Sequence, residues 1–254
     1  MPALNHPQPQ SLTLPSGLTL SARHEPHLEH CTAVLRVAAG RQDQPAAWPE
    51  LVYVLEHWLF LGTKRFPAQD NLMTYVQRHG GQVNVQTHER HTDFAFEVRP
   101  DALDGALERL CDMLGHPRMN LNDPLRERDV LQVESLVQAR EPGLQREPLV
   151  GNCNAFQPAL NAFYQQFYQA AKMTLNLAGP LPLDELLALG QRCTTPLPVP
   201  DVALGSVKEP ASAGLIRGQT SAHRGLRTFA QDRLRARRDE SAITVSTTRP
   251  APER

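Results

Sequence analysis

The stretch Leu51 to Leu61, LVYVLEHWLFL, is apolar almost throughout, and its two charged-type residues, Glu56 and His57, stand side by side near the middle. Pro49 just ahead suits the first turn of a helix, and a helix that is apolar all round is a buried one. A buried charge must be paired, hydrogen-bonded or metal-bound. Other elements must therefore enclose this helix and supply partners for Glu56 and His57. One turn back from His57, on the same helical face, stands Tyr53.

The flanking pattern supplies the enclosure. Leu12 to Arg23 reads as a strand pair around the turn Pro15-Ser16-Gly17, and Thr32 to Ala39 as a further strand. His24, His27 and His30 between them share no helical face and read as a surface loop. Asp70 to His79 reads as a short helix ended by Gly80-Gly81. Gln82 to Thr87 and Thr92 to Arg99 alternate as a hairpin. Leu103, Leu107, Leu110 and Leu114 form one stripe of a helix over Ala102 to Leu114, and Pro124 opens another to about Arg140. The chain then reads as irregular until a helix over Gln157 to Ala170, followed by a strand, Met173 to Ala178, and a helix, Leu183 to Gln191. This is an α+β class pattern: a mixed sheet backed by helices. Residues 1–11 read as a flexible N-terminus, 12–195 as the folded domain, and 196–254 as a poorly ordered tail rich in proline and arginine.

Composition excludes several function classes. With 254 residues the chain holds a real core. A formal net charge of −1 gives no electrostatic case for nucleic acid or an anionic membrane. No apolar run approaches the length of a membrane span, and residues 1–10 lack the apolar centre of a signal peptide. Four scattered cysteines read as free thiols. A cytoplasmic location is expected.

Two glutamates on the helix after Pro124, Glu127 and Glu134, are seven apart and share a face. They read either as a solvated acidic stripe or as a source of a distant metal ligand, since zinc accepts imidazole nitrogen together with carboxylate oxygen. In the inverted motif H-x-x-E-H, two histidines hold zinc and the glutamate activates water. Residues 53–57 keep its second half and place Tyr53 where the first histidine belongs.

Several further segments carry a resemblance: Leu59-Phe60-Leu61-Gly62-Thr63 with Phe66-Pro67; His79-Gly80-Gly81-Gln82-Val83-Asn84; and Glu89 with His91-Thr92-Asp93-Phe94. With Glu56-His57 and the pair Glu127 and Glu134, they resemble the pitrilysin/insulinase family of zinc metallopeptidases from about Leu12 to Arg192. The resemblance implies Glu56 as general base, His57 and Glu134 as zinc ligands, Glu127 as support, and Asn84 on a substrate-binding edge strand. It implies a peptide substrate, and a second peptidase half or homologous chain closing a clamshell over it. Tyr53 breaks the ligand set, so three expectations stand: an active peptidase, a non-catalytic peptide- or partner-binding homologue, or a truncated remnant of a longer peptidase.

Overall fold

The computed structural model describes residues 8–49, 51–119 and 149–199. Its centre is a six-stranded mixed sheet of order β1-β2-β6-β3-β5-β4. The strands are β1 (Gln10–Thr13), β2 (Thr19–His24), β3 (Cys31–Val37), β4 (Gln82–Thr87), β5 (Thr92–Val98) and β6 (Met173–Gly179). All neighbours are antiparallel except β2 and β6, which run parallel. Five helices accompany them among the described residues: α1 (Leu51–Leu59), α2 (Leu72–Arg78), α3 (Leu103–Gly115), α4 (Leu149–Phe167) and α5 (Leu183–Cys193).

Period-two alternation puts one set of side chains from each strand on one face. The registers then align them in two rows across five strands. Leu20, Leu175, Leu35, Phe94 and Val85 form one; Ala22, Leu177, Ala33, Phe96 and Val83 form the other. The helices cover this face. Gly190 of α5 lies over Leu20 and Leu177 so closely that a Cβ there would stand 2.6 Å from a leucine methyl. Tyr168, just after α4, meets Phe94 edge-on. Burying a full leucine, valine or phenylalanine side chain stabilises by about 1.5–3 kcal/mol, so these rows dominate the fold's energetics.

The end of α1 is held by a polar lock. Gly62 turns the chain with φ +96°, a left-handed conformation that favours glycine. Thr63 then donates its hydroxyl to Asp112 of α3 at 2.5 Å and accepts the Phe66 N–H at 2.9 Å. Asn71, the N-cap of α2, donates its side-chain amide to the Phe60 carbonyl at 2.7 Å. Glycine is equally required at Gly81, where a Cβ would come within 2.1 Å of the Glu97 carbonyl as β4 begins.

One expected element is corrected. The stretch before Gln157 is not irregular up to that residue: α4 begins at Leu149 and runs through Pro158. Pro158 supplies no N–H, which makes the sequence read as broken there, yet burial of Phe156, Leu160 and Phe163 in the core carries the helix through. The expected helix from Pro124 to Arg140, residues 1–7 and nearly all of the tail from 200 on lie outside the described residues. None of the described helices is long and apolar enough to cross a membrane.

Candidate active site

The third row of the sheet's helix-side face is Met173, Val37, Thr92 and Thr87. Here the sheet turns polar, and α1 lays its polar pair against it. Glu56 and His57 are 5% and 7% exposed. The Thr87 hydroxyl donates to Glu56 Oε1, and lies 3.2 Å from the Thr92 hydroxyl. Thr92 in turn donates to the Ala39 carbonyl at 2.9 Å. A chain of hydroxyls thus runs from β3's end to the carboxylate, and the buried charge is hydrogen-bonded as physical chemistry requires.

Tyr168 adds a second neighbour. It is fully buried, and its hydroxyl finds no hydrogen-bond partner among the described residues. Burial first, then the nearby Glu56 charge, pushes its pKa well above the ordinary tyrosine range. The group stays a neutral phenol at every physiological pH. Its packing role is legible in the sequence as core; its closeness to Glu56 is not, because the two residues are joined only by the sheet.

His57 is oriented from its own helix. Its Nδ1 lies 3.1 Å from the Tyr53 carbonyl. A carbonyl only accepts, so Nδ1 carries the proton and Nε2 is the basic nitrogen in the neutral ring. Metal-bound imidazoles are commonly oriented by such a bond. The Tyr53 ring packs on the imidazole with centroids 4.4 Å apart and planes tilted by 59°. As a test of fit, this donor set agrees with zinc in kind: a correctly tautomerised imidazole beside a buried carboxylate. It is incomplete among the described residues, where Tyr53 offers a phenol in place of an imidazole.

The structure brings Tyr53, Glu56, His57 and Thr87 together. Asn84 lies on β4, the last strand of the sheet among the described residues, two residues before Gln86 and on the opposite face from Val85 and Thr87. Asn84 shares an edge with the site rather than a face. Glu127 and Glu134 lie outside the described residues. Sequence reading missed Thr87 as the partner of Glu56. The available signal was a threonine in strand register with another threonine at the polar end of an otherwise apolar face.

Comparison with known proteins places the chain in a family. A family model described as Insulinase (Peptidase family M16) matches residues 20–165. Coenzyme PQQ synthesis protein F of Pseudomonas protegens is 49% identical over 203 residues, covering 71% of this chain and 24% of that protein. The protein of the same name from Klebsiella pneumoniae is 37% identical, with 72% and 27% covered. Protease 3 of Escherichia coli is 28% identical, with 70% and 21% covered. The crystal structure of pitrilysin superposes with a TM-score of 0.67 at 24% identity, covering 83% of this chain and 25% of that one. The chain thus spans about a quarter of the length of these relatives. With the family model matching more than half its residues, and a buried Glu-His pair set on a pitrilysin-like sheet, the chain belongs to the insulinase family of peptidases, M16.

Proposed function

We propose that this chain is the N-terminal unit of a zinc metalloendopeptidase that trims a small precursor peptide in pyrroloquinoline quinone (PQQ) biosynthesis. The observation that carries the reading is Glu56: a buried carboxylate held by Thr87 at the edge of the sheet, with His57 beside it in the metal-binding tautomer. The names of the relatives from Pseudomonas and Klebsiella supply the pathway.

In this reading His57 and Glu134 hold zinc, and Tyr53 occupies the place of a third ligand. Bound there, zinc would supply Lewis acidity and an acidified water. Glu56 accepts the water's proton at a carboxylate oxygen, while Thr87 holds that carboxylate in place. Glu127 supports the site as a second carboxylate. The peptide adds to the β4 edge as an extra strand through backbone hydrogen bonds, near Asn84. Asn84 then contributes position along the strand rather than direct contact with the catalytic face. Residues 12–195 form the peptidase-like domain, onto which the next few residues also pack, through the buried Leu197 and the Ala170 N–H donated to the Pro198 carbonyl at 2.7 Å; the protein acts in the cytoplasm.

A second reading is favoured by one observation, the Tyr53 ring lying on the His57 imidazole. A chain with one imidazole where two are needed binds peptide without cutting it, either as a partner-binding homologue or as a remnant of a longer peptidase. Catalytic zinc sites use three protein ligands, and a homologous second half would be needed to grip the scissile carbonyl. The test is zinc content and peptide cleavage by the purified chain, alone and mixed with the C-terminal half of a relative. Cleavage that needs both halves and disappears in Glu56→Gln supports the peptidase reading. Peptide binding with no zinc and no cleavage in either mixture replaces it with the second.

A further inference from the structure

The turn joining β4 to β5 carries a set of donors that the α1 site does not use. His88 and His91 close the turn: the His88 N–H donates to the His91 carbonyl at 2.8 Å. Their imidazoles stack, with centroids 4.3 Å apart and planes 25° from parallel. Asp93 follows on β5. One ligand atom from each of His88, His91 and Asp93 lies within 4.8 Å of the other two, and His91 Nε2 is 3.8 Å from Asp93 Oδ2. It is the one such three-residue His/Cys/Asp/Glu group among the described residues.

The group is held in place by neighbours on three sides. Arg36, directly opposite Asp93 in the β3–β5 register, grips both carboxylate oxygens with its guanidinium fork at 2.7 and 2.8 Å. Each oxygen keeps a second lone pair after one such bond, and carboxylates that bind metals are usually hydrogen-bonded in this way. The turn's backbone is pinned to the segment after β3, where the Arg41 and Gln42 N–H groups donate to the His88 and Glu89 carbonyls at 3.0 and 2.9 Å. The Arg41 side chain spans the same turn, bonding Glu89 and the Thr87 carbonyl. Gly40 lies so close beneath that a Cβ would stand 2.4 Å from the His88 carbonyl oxygen.

Two imidazole nitrogens and one carboxylate oxygen suit a borderline divalent ion such as zinc, cobalt or nickel, and not calcium or magnesium, which take oxygen donors. Zinc bonds of about 2.0–2.2 Å at tetrahedral angles bring donors to about 3.3–3.6 Å from one another. Rotation of two half-buried imidazoles about their side-chain bonds covers the difference from 4.8 Å. Thr92 faces Glu56's side of the sheet, so Asp93, next in alternation, faces the other. The hairpin therefore separates this group from the α1 site by the thickness of the sheet. We propose that His88, His91 and Asp93 form a second site for a divalent transition-metal ion, on the sheet face opposite Glu56 and independent of His57.

The experiment titrates the full chain with zinc alone, by calorimetry, and with cobalt alone, by its visible absorption. The wild type and His57→Ala bind at this site equally. His88→Ala/His91→Ala binds at least about 10-fold more weakly there, since even a supporting group is worth that much to a metal site. His88→Gln/His91→Gln, which keeps polarity and size, shows the same loss with unchanged circular dichroism. Should either double variant lose its fold, imidazole nitrogen resonances of the wild type decide the matter. Zinc-induced shifts at His88 and His91 uphold the site. No zinc binding, binding lost only in His57→Ala, or unshifted His88 and His91 resonances overturn it.

Discussion

Thr63→Val is a near-isosteric change that tests whether the lock behind α1 holds the site's frame. Thr63 and Asp112 are 3% and 4% exposed, so solvent cannot replace what valine removes. The Asp112 carboxylate loses a donor that stood at 2.5 Å and keeps the His116 imidazole at 3.0 Å. A hydrogen bond to a charged group contributes about 1.5–3 kcal/mol, and the orphaned Phe66 N–H costs about 1–3 kcal/mol more. The added methyl offsets about 0.8 kcal/mol. A net loss of about 2–5 kcal/mol follows, read by urea denaturation with an unchanged slope. Asp112→Asn and the double variant complete a cycle whose coupling should reach about 1.5–3 kcal/mol, within the range for residues in contact. A loss below about 0.5 kcal/mol for Thr63→Val, or additive losses in the cycle, refutes the lock.

Three other outcomes are expected. Tyr53→His raises zinc affinity at the α1 site at least about 10-fold over the wild type, and equal affinities by calorimetry would show that the tyrosine is not the defect. Gly62→Ala forces a Cβ within 2.8 Å of the Phe66 carbonyl at φ +96° and costs about 1–3 kcal/mol; an unchanged melting temperature would contradict the strained turn. Burial raises the thiol pKa of Cys31 to about 11 and of Cys193 to about 12, from 9.0. Folded thiols therefore hold protons that unfolded ones release, so stability is complete below about pH 9 and falls as pH rises through 11 and 12. Native alkylation at pH 8 leaves both unlabelled, and mass spectrometry showing either one modified at the rate of a free peptide thiol would rule this out.

The elements that were legible in the chain share one property: their signal is local. The hairpin over Gln82–Thr87 and Thr92–Val98 is visible because alternation and flanking glycines lie within a few residues of each other. The α1 helix is visible because its run is apolar on either side of the Glu56-His57 pair. What was not legible depends on partners brought together by the sheet. Thr87 reads as one more strand residue until register sets it beside Thr92 and under Glu56. The N-terminal half of α4 was hidden by Pro158, a local signal that buried packing overrides. His91 and Asp93 were noticed only as part of a family pattern, and His88 not at all, because a turn's side chains converge in a way periodicity does not describe.

The same distinction bears on Tyr53. In a site whose shape depended on its metal, losing a ligand would loosen the surrounding structure, as binding free energy in such sites is folding free energy. Here the frame rests on bonds that need no ion. Thr63 ties the end of α1 to α3, and Asn71 ties Phe60 to α2. Thr87 and Thr92 carry Glu56 back to the Ala39 carbonyl, and the apolar rows of the sheet lie beneath. His57 takes its orientation from the backbone of residue 53, through its carbonyl, whatever side chain that residue bears. On the proposed reading, a tyrosine at 53 therefore removes a metal donor while leaving the geometry of His57 and of the Glu56 carboxylate intact. The bonds that hold the frame involve none of the side chains proposed as metal ligands, so this fold keeps its architecture whichever side chain stands at position 53.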